Sequence, residues 1–484
     1  MQIKTILRLL GLLLMMFSVS MLTPLFINII FDENFWLPFV VAFFCTFITG
    51  SLLWLSFRTQ QKELKIRDGF LIVALFWFVL CFFASLPFIF ALDHQNISMT
   101  DAFFESVSGF TTTGASVIGH LAGLPQALLF YRQQLQFLGG MGIVVLAVAI
   151  LPMLGVGGMQ LYRAETPGPM KDAKLTPRIA QTAKALWFIY LLLTLLCMLA
   201  YWAAGMDWFD ALGESFTTVS TGGFTMHEGS FAYYNSELIE GIACFFMLLG
   251  GTNFALHFIA FKKRNLVHYW QDEEFRFYVR LVLIASLVVS LSLVLYGFFN
   301  RSYHALFKSL FSVISMATTT GFTSAPFSSW PTYIPILLML LAIVGGCAGS
   351  TSGGVKIIRA LLIYKQSKRE MVRLLHPNAI IPIKFNQHRL SEPVLQSMWG
   401  FISVFIAVFL ILLVLFMALG NDFVTSFSAI TASLSNTGAG LGKIQDGFDQ
   451  LTVASKWVLI FAMLAGRLEI FSLLILFLPH FWRK

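Results

Sequence analysis

The sequence has few charged residues. Asp, Glu, Lys and Arg make up only 12% of the 484 residues, whereas hydrophobic residues make up 57%. A soluble domain carries about 25% charged residues, so this chain has too little polar surface to stay in water. The composition therefore predicts a polytopic membrane protein. The net charge of +8 then gives no reason to expect nucleic-acid binding, because basic residues in membrane proteins gather on the cytoplasmic side.

Motifs of enzymes and metal sites are also missing. The five cysteines lie in apolar segments, are odd in number and show neither a CxxC pair nor Cys/His ligand spacing. The sequence contains no HExxH motif and no nucleophile elbow, and His227 and His257 are isolated. These absences argue against an integral-membrane enzyme. The apolar run after the basic N-terminus lacks a small-residue cleavage site, so we expect a retained first span.

Apolar segments long enough to cross a bilayer are the dominant feature of the chain. If the N-terminus is cytoplasmic, most of the 32 Lys and Arg fall in cytoplasmic segments, as the positive-inside rule requires. The ten predicted spans are 9–30, 36–57, 69–91, 133–154, 185–204, 237–261, 278–299, 333–363, 395–419 and 455–478.

Four segments between predicted spans resemble one another. Residues 101–116, 210–225, 308–323 and 425–440 each place an apolar, helix-compatible stretch before a Ser/Thr/Asn-Gly tetrad. The first two also share Asp-Ala-x-x-Glu-Ser ahead of the tetrad. This is a fourfold internal repeat, in which each unit consists of a span, a half-helix, a tetrad and a second span. The tetrads are Thr111-Thr112-Thr113-Gly114, Ser220-Thr221-Gly222-Gly223, Thr318-Thr319-Thr320-Gly321 and Ser435-Asn436-Thr437-Gly438.

Four repeats of one orientation indicate a ring of loops around a single axis. Non-helical backbone inside a membrane is tolerated only where it is buried in protein or lines a water-filled cavity. In potassium channels, backbone carbonyls from four loops replace the water ligands of the ion. Glycine permits the turn that such a loop needs, and threonine offers a hydroxyl. One tetrad alone would be an ordinary threonine-capped turn, but four matched copies favour a cation pathway.

The tetrads, GGCAGSTSGGVKIIR at 345–359 and AGRLEIF at 465–471 together resemble the potassium-translocating subunit of the bacterial Trk/Ktr/HKT superfamily. The two additional N-terminal spans are similar to those of a Trk-type subunit. The resemblance covers essentially the whole chain. It implies an all-α polytopic membrane protein with four units of span, pore half-helix, filter loop and span around one pore, plus two extra N-terminal transmembrane helices.

The resemblance also implies that the tetrads bind potassium. The carbonyls of the first three residues of each tetrad would coordinate the ion, and the final glycines, Gly114, Gly223, Gly321 and Gly438, go with a preference for potassium over sodium. Ser435 and Asn436 depart from the threonine pattern of the other loops, so the symmetry of the ligand ring is in question there.

A glycine-rich segment interrupts the eighth predicted span. A continuous helix is disfavoured, because each interior glycine costs about 0.8–1.0 kcal/mol relative to alanine. The segment lacks the Gly-Lys-Ser/Thr ending of a phosphate loop. We expect a loop that gates the pore below the filter, as the resemblance implies, with close packing of glycines between helices as the alternative. The candidate gate residues in it are Gly345, Gly346, Gly349, Ser350, Thr351, Ser352, Gly353 and Gly354.

Arg467 is a further candidate gate residue. A charge near the middle of a span costs at least about 2.5 kcal/mol and is usually functional. The repeat alignment places Arg467 just cytoplasmic of the tetrads, where its charge would repel a cation leaving the filter. The resemblance implies the same role. The alternative is an ion pair with Glu469 or Glu105.

The repeat divides the chain into five parts. Residues 1–67 form the two extra N-terminal transmembrane helices, and the four pore repeats follow. The repeats are 68–162, 163–264, 265–373 with the intramembrane gate loop, and 374–484.

Partners and location follow from the resemblance and from the charge pattern. The resemblance implies a homodimer and a cytosolic regulatory NAD/ATP-binding Trk-associated subunit, although the basic loops by themselves indicate only topology and contacts with membrane lipids. We expect the bacterial inner membrane, both termini cytoplasmic, no nucleic-acid partner and no cofactor besides the transported potassium. Transport is either channel-like or a symport with protons or sodium. The alternative function, a secondary carrier of another cation or small solute, predicts two inverted halves.

Overall fold

The regular structure of the protein is almost entirely helical. The computed structural model describes residues 1–59, 65–91, 97–142, 179–299 and 302–483. Within these ranges, the only strands are the two-residue strands Lys384–Phe385 and His388–Arg389, which pair as a small antiparallel hairpin. The expected all-α polytopic architecture is confirmed, with this hairpin as its one departure among the described residues.

Long apolar helices provide the membrane-spanning part of the fold. In the described ranges, six of them are long enough to cross a bilayer: Ile3–Ile30, Leu37–Phe57, Arg67–Ile89, Ala183–Ala203, Glu273–Leu295 and Glu392–Ala418. The shorter helices are Gln126–Phe137, Glu237–Gly250, Phe254–Lys263, Val267–Gln271, Tyr333–Val344, Ile357–Leu375, Val453–Arg467, Phe471–Leu474 and Pro479–Trp482. Three predicted features lie partly or wholly outside the described residues. They are the span 133–154, the repeat boundary at 162 and the first part of the basic segment 171–184 between two predicted spans.

Two segments predicted as single spans are instead sharply bent. Helix Glu237–Gly250 meets helix Phe254–Lys263 at 95°, and helix Val453–Arg467 meets the helical segment Phe471–Phe477 at 107°. In the first bend, Asn253 starts the new helix by accepting a hydrogen bond from the N–H of Ala255 at 2.9 Å. The first break contains Thr252 and Asn253 and the second follows Arg467 and contains Glu469, but each predicted span is apolar on average, so mean hydropathy over the span does not reveal the bend.

Four shorter helices, here called pore helices 1 to 4, lead into the tetrads. Three have a side chain that caps their N-terminus: Ser98, Asp207 and Asp422 accept hydrogen bonds from backbone N–H groups of the first turn. Each helix ends at the residue directly before its tetrad, so its negative end points at the tetrad. Pore helices 1 to 4 are Met99–Phe110, Trp208–Val219, Ser302–Ala317 and Phe423–Leu434.

The first two long helices pack closely through glycines. A Cβ atom added to Gly11 would lie 2.6 Å from the carbonyl oxygen of Gly50, and one added to Gly50 would lie 2.8 Å from that of Gly11. Such backbone approach is typical of helix pairs in membranes, where dispersion rather than hydrophobic burial drives association. The N-terminal pair is thus a tightly packed hairpin beside the repeats.

Both chain termini lie at the same end of the bundle. The backbone N–H of Gln2 donates to Asp68 at 3.1 Å, and the guanidinium of Arg67 donates to the carbonyl of Arg483 at 2.7 Å. The start and the end of the chain therefore meet at the beginning of the third long helix.

A buried ion pair ties pore helix 1 to helix Gln126–Phe137. The Nε of Arg132 donates to Glu105 at 2.8 Å, and both side chains are almost fully buried. Glu105 also accepts hydrogen bonds from the hydroxyl of Ser116 at 3.0 Å and from the N–H of Val117 at 3.0 Å. The Glu105 carboxylate thus compensates the charge of Arg132 inside the protein.

We predict that Arg132→Met strongly destabilises the protein, because it leaves the Glu105 carboxylate buried without its partner. Losing one member of such a pair costs about 3–5 kcal/mol. The matched control is Arg373→Met, which breaks the exposed Arg373–Glu370 pair and should cost about 0–1 kcal/mol. Thermal unfolding of the purified variants in detergent, followed by tryptophan fluorescence, measures both. Equal unfolding temperatures for the two variants would contradict the assigned role of the buried pair.

Candidate functional site

The four tetrads, here called filter loops 1 to 4, share one backbone conformation. The second residue of each is left-handed, with φ of 53° at Thr112, 49° at Thr221, 56° at Thr319 and 53° at Asn436. The fourth residue, always glycine, has φ between 74° and 90°. Left-handed backbone is costly for side chains other than glycine and persists only where the surroundings impose it. The same costly turn in four places indicates one shared structural task.

In all four loops, a hydrogen bond from the loop to its own pore helix holds this turn in the same way. The N–H of the third tetrad residue donates to the carbonyl five residues earlier at 2.8 Å in every copy. These bonds satisfy carbonyls at the helix ends, as in other left-handed helix caps. The donors are Thr113, Gly222, Thr320 and Thr437.

The glycines of the filter loops close the loops into a ring. A Cβ atom added to any of the four final glycines would lie closer than 3.0 Å to the carbonyl oxygen of the third residue in the next loop. The order is cyclic, since loop 1 faces loop 2, loop 2 faces loop 3, loop 3 faces loop 4 and loop 4 faces loop 1. The facing pairs are Gly114 with Gly222, Gly223 with Thr320, Gly321 with Thr437, and Gly438 with Thr113.

Side chains around the ring are buried but do not follow the fourfold symmetry. In loop 1 the hydroxyls of Thr111 and Thr113 are 2.7 Å apart, and the same pair occurs at 2.7 Å in loop 3. In loop 4, the amide of Asn436 donates to the hydroxyl of Thr113 at 2.9 Å and to the carbonyl of Met463 at 3.0 Å. The departure of loop 4 from the threonine pattern therefore changes the side-chain bonds and leaves the backbone turn unchanged.

Glycines on the second helix of three repeats let that helix approach the filter closely. A Cβ atom on Gly139, Gly250 or Gly466 would lie closer than 3.0 Å to the carbonyl oxygen at the end of the preceding pore helix. Around Gly139 the helix widens into one π-helical turn, Leu138–Gly142, a distortion that is frequent at functional sites. In the third repeat the glycine-rich segment occupies the corresponding part of the chain.

The glycine-rich segment 345–354, here called the gate loop, is not helical. Helix Tyr333–Val344 ends at Gly345, and the next helix begins at Ile357, which confirms the expected interruption of this span. Hydrogen bonds fix the loop: the N–H of Cys347 donates to the carbonyl of Gly251 at 2.9 Å, and the N–H of Ala348 donates to Glu274 at 2.7 Å.

The gate loop lies against three filter loops. The hydroxyls of Thr351 and Thr221 are 3.2 Å apart, which joins the gate loop to loop 2. The N–H of Gly353 donates to the hydroxyl of Thr319 in loop 3 at 2.6 Å. A Cβ atom on Gly353 would also lie closer than 3.0 Å to the carbonyl of Ser435 in loop 4. The gate loop is thus packed directly against the ring.

Arg467 completes this layer next to filter loop 1. Its guanidinium donates to the hydroxyl of Thr112 and to the carbonyl of Thr351, each at 3.0 Å. It also donates to the carbonyls of Gly139 at 2.7 Å and Gly140 at 2.8 Å. The two carboxylates considered as its partners from sequence have other arginines beside them: Glu105 pairs with Arg132, and Glu469 pairs with Arg359. Arg467 therefore connects filter loop 1 to the gate loop.

Two further polar residues lie at the site and were not predicted from the sequence. Lys356 is buried at the end of the gate loop, where its ammonium donates to the carbonyl of Ser352. Gln136 lies behind filter loop 2 and is fully buried. Both are polar residues within predicted apolar spans, and that signal could have marked them.

The arrangement combines a narrow ring of carbonyls with positive charge next to it. The ring receives the negative ends of four pore helices, which favours a cation at its centre. In the part of the chain that the structure describes, no group of three or more His, Cys, Asp or Glu could hold a metal ion.

Comparisons with known proteins agree with this geometry. The family model TrkH, described as a cation transport protein, matches residues 38–484. Proteins named Trk system potassium uptake protein TrkH from Halomonas elongata and Escherichia coli strain K12 are 52% and 48% identical over 484 residues, with 100% of both chains covered. The crystal structure of the potassium transporter TrkH from Vibrio parahaemolyticus aligns with a TM-score of 0.91 at 47% identity, with 100% of both chains covered.

These similarities extend over the whole chain. The matching family consists of transport proteins rather than enzymes. The chain belongs to the TrkH family of cation transport proteins.

Proposed function

We propose that this protein takes up potassium through the ring of filter loops. The observation behind this proposal is that the final glycine of each loop lies against a carbonyl of the next loop. These contacts bring four equivalent sets of carbonyl oxygens around one axis. Such rings replace the hydration shell of a monovalent cation. The names of the similar proteins, which are potassium uptake proteins, support potassium as the ion.

The chemistry of the ring favours potassium over divalent ions. Calcium and magnesium sites in proteins use the carboxylates of Asp and Glu, and the tetrads contain neither residue. The ligands in this proposal are the carbonyls of residues 111–113, 220–222, 318–320 and 435–437, with the final glycine of each loop allowing the turn. A carrier with two inverted halves is not favoured, because the four loops are cyclically equivalent.

In this proposal, the gate loop and Arg467 control passage beyond the ring. The loop packs against filter loops 2, 3 and 4, and Arg467 contacts filter loop 1, so an ion leaving the ring meets both. Two unit charges 4 Å apart interact by about 4 kcal/mol at the effective dielectric constant of a protein near its surface. Arg467 thus acts as an electrostatic barrier, and displacement of the gate loop opens the path.

The membrane placement in this proposal is the bacterial inner membrane with both termini cytoplasmic. The shared position of the two chain ends and the basic segments on the predicted inner side support this orientation. The membrane potential then drives uptake with about 2.3 kcal/mol per charge per 100 mV. A cytosolic nucleotide-binding subunit and a second copy of the chain complete the proposed assembly. If uptake is coupled to a second ion, that ion is a proton or sodium, carried in the same direction as potassium.

We predict that Gly114→Ser lowers the potassium-to-sodium flux ratio. The added Cβ would overlap the carbonyl of Gly222, and such overpacking costs about 1–3 kcal/mol. That energy corresponds to about a tenfold loss of selectivity. The measurement is cation flux at fixed voltage into liposomes that carry the purified protein. Gly119→Ser is the matched control, since a Cβ there meets no atom within 4 Å. An unchanged ratio in Gly114→Ser would argue against the ring as the filter.

We predict that Arg467→Ala raises the rate of potassium flux by about tenfold, because removing the charge lowers the barrier beyond the ring by at least about 1.4 kcal/mol. Arg467→Lys keeps the positive charge and should remain close to the unmodified protein. The same liposome flux assay measures both variants. Equal rates in the alanine and lysine variants would show that the charge of Arg467 is not the barrier.

A further inference from the structure

One carbonyl of the ring is held by a side chain from outside the filter loops. The Nε2 of Gln136 donates to the carbonyl of Gly222 at 2.7 Å, and its Oε1 accepts from the N–H of Phe224 at 3.0 Å. Gln136 is fully buried. Its amide therefore fixes the backbone of loop 2 on both sides of Gly223.

Loop 2 is also the loop that lacks a threonine at its third position. Thr113, Thr320 and Thr437 occupy this position in the other loops, whereas loop 2 has Gly222. A Cβ atom on Gly222 would lie closer than 3.0 Å to the side-chain Oε1 and Cδ of Gln136. Gln136 thus fills the space that the missing side chain would occupy.

The residue at the position of Gln136 also differs among the four repeats. Gln136 lies three residues before the glycine Gly139 on the second helix of its repeat. At the same distance from Gly250, Gly345 and Gly466, the other repeats have buried residues without an amide, namely Met247, Ala342 and Met463. The glutamine of the first repeat therefore meets the glycine of loop 2, whereas the other three second helices have an apolar residue at this position and the other three loops have threonine.

We infer that Gln136 is a positioning residue that determines ion selectivity through the carbonyl of Gly222. Glycine has no side chain to brace its peptide and is the most flexible residue. A ring carbonyl that is free to move inward would also accommodate the smaller sodium ion. The two hydrogen bonds of Gln136 hold this carbonyl at the distance that the other loops set with threonine. This inference rests on the proposed potassium uptake.

Gln136→Leu tests the inference by removing both hydrogen bonds at nearly constant volume. The potassium-to-sodium flux ratio should fall by about fivefold, which is the factor that corresponds to the loss of the one hydrogen bond that reaches the carbonyl of Gly222. Gln134→Leu is the matched control on the same helix, because Gln134 bonds to Thr23 and to the carbonyl of Ser20, away from the filter. Its ratio should equal that of the unmodified protein.

A double variant separates selectivity from mere stability. Gly222→Thr alone should reduce the flux ratio, because the new side chain collides with Gln136. Adding Gln136→Met places threonine in loop 2 and, on the helix behind it, the methionine that the second and fourth repeats have at this position; it should restore the ratio to within about twofold of the unmodified protein, as expected for coupled neighbours. A general structural role would instead make the double variant worse than either single one.

The outcomes distinguish this inference from the proposed function. The inference is overturned if Gln136→Leu keeps the selectivity of the unmodified protein, or if the double variant is no better than Gly222→Thr. If Gln136→Leu does not fold, Gln136→Met decides in its place, since it also removes both hydrogen bonds and adds no charge beside the filter. An unmodified protein that does not prefer potassium overturns both the inference and the proposed function.

Discussion

The close approach of each filter glycine to a carbonyl of the next loop is the contact on which the rest of the structure depends. No side chain fits between the loops at these four points, so the ring can close only with glycine there. The left-handed second residue of each tetrad and the hydrogen bond from its third residue then set the direction of the backbone. Pore helices, second helices and the gate loop all pack around this ring.

The four repeats are equivalent in their backbone and different in their side chains. Loops 1 and 3 pair two threonine hydroxyls, loop 2 relies on Gln136, and loop 4 uses the amide of Asn436. On the side of the gate loop the symmetry ends, because only the third repeat supplies that loop and only the fourth supplies Arg467. This division fits the proposed function, in which carbonyl ligands for an ion need equal geometry, whereas one gate and one barrier are sufficient.

The sequence predicted those features that recur or that follow from composition. Four matched tetrads predicted four helix-loop units, and the glycine content of 345–354 predicted a break in the eighth span. The bends after Gly250 and Arg467 were not predicted, because each span is apolar on average and the angle of a bend depends on tertiary contacts. The ion pair of Arg132 with Glu105 was not predicted either, since charge counts do not show which residues meet in the fold. Gln136 could not be assigned a role without knowing which loop it faces.

The most direct test of the account is to locate the ion. Crystals of the protein grown with rubidium or thallium, which replace potassium and scatter anomalously, would show its position in an anomalous difference map. We expect density on the axis of the ring, surrounded by carbonyls of all four filter loops. Anomalous density confined to other parts of the protein, with none inside the ring, would contradict it.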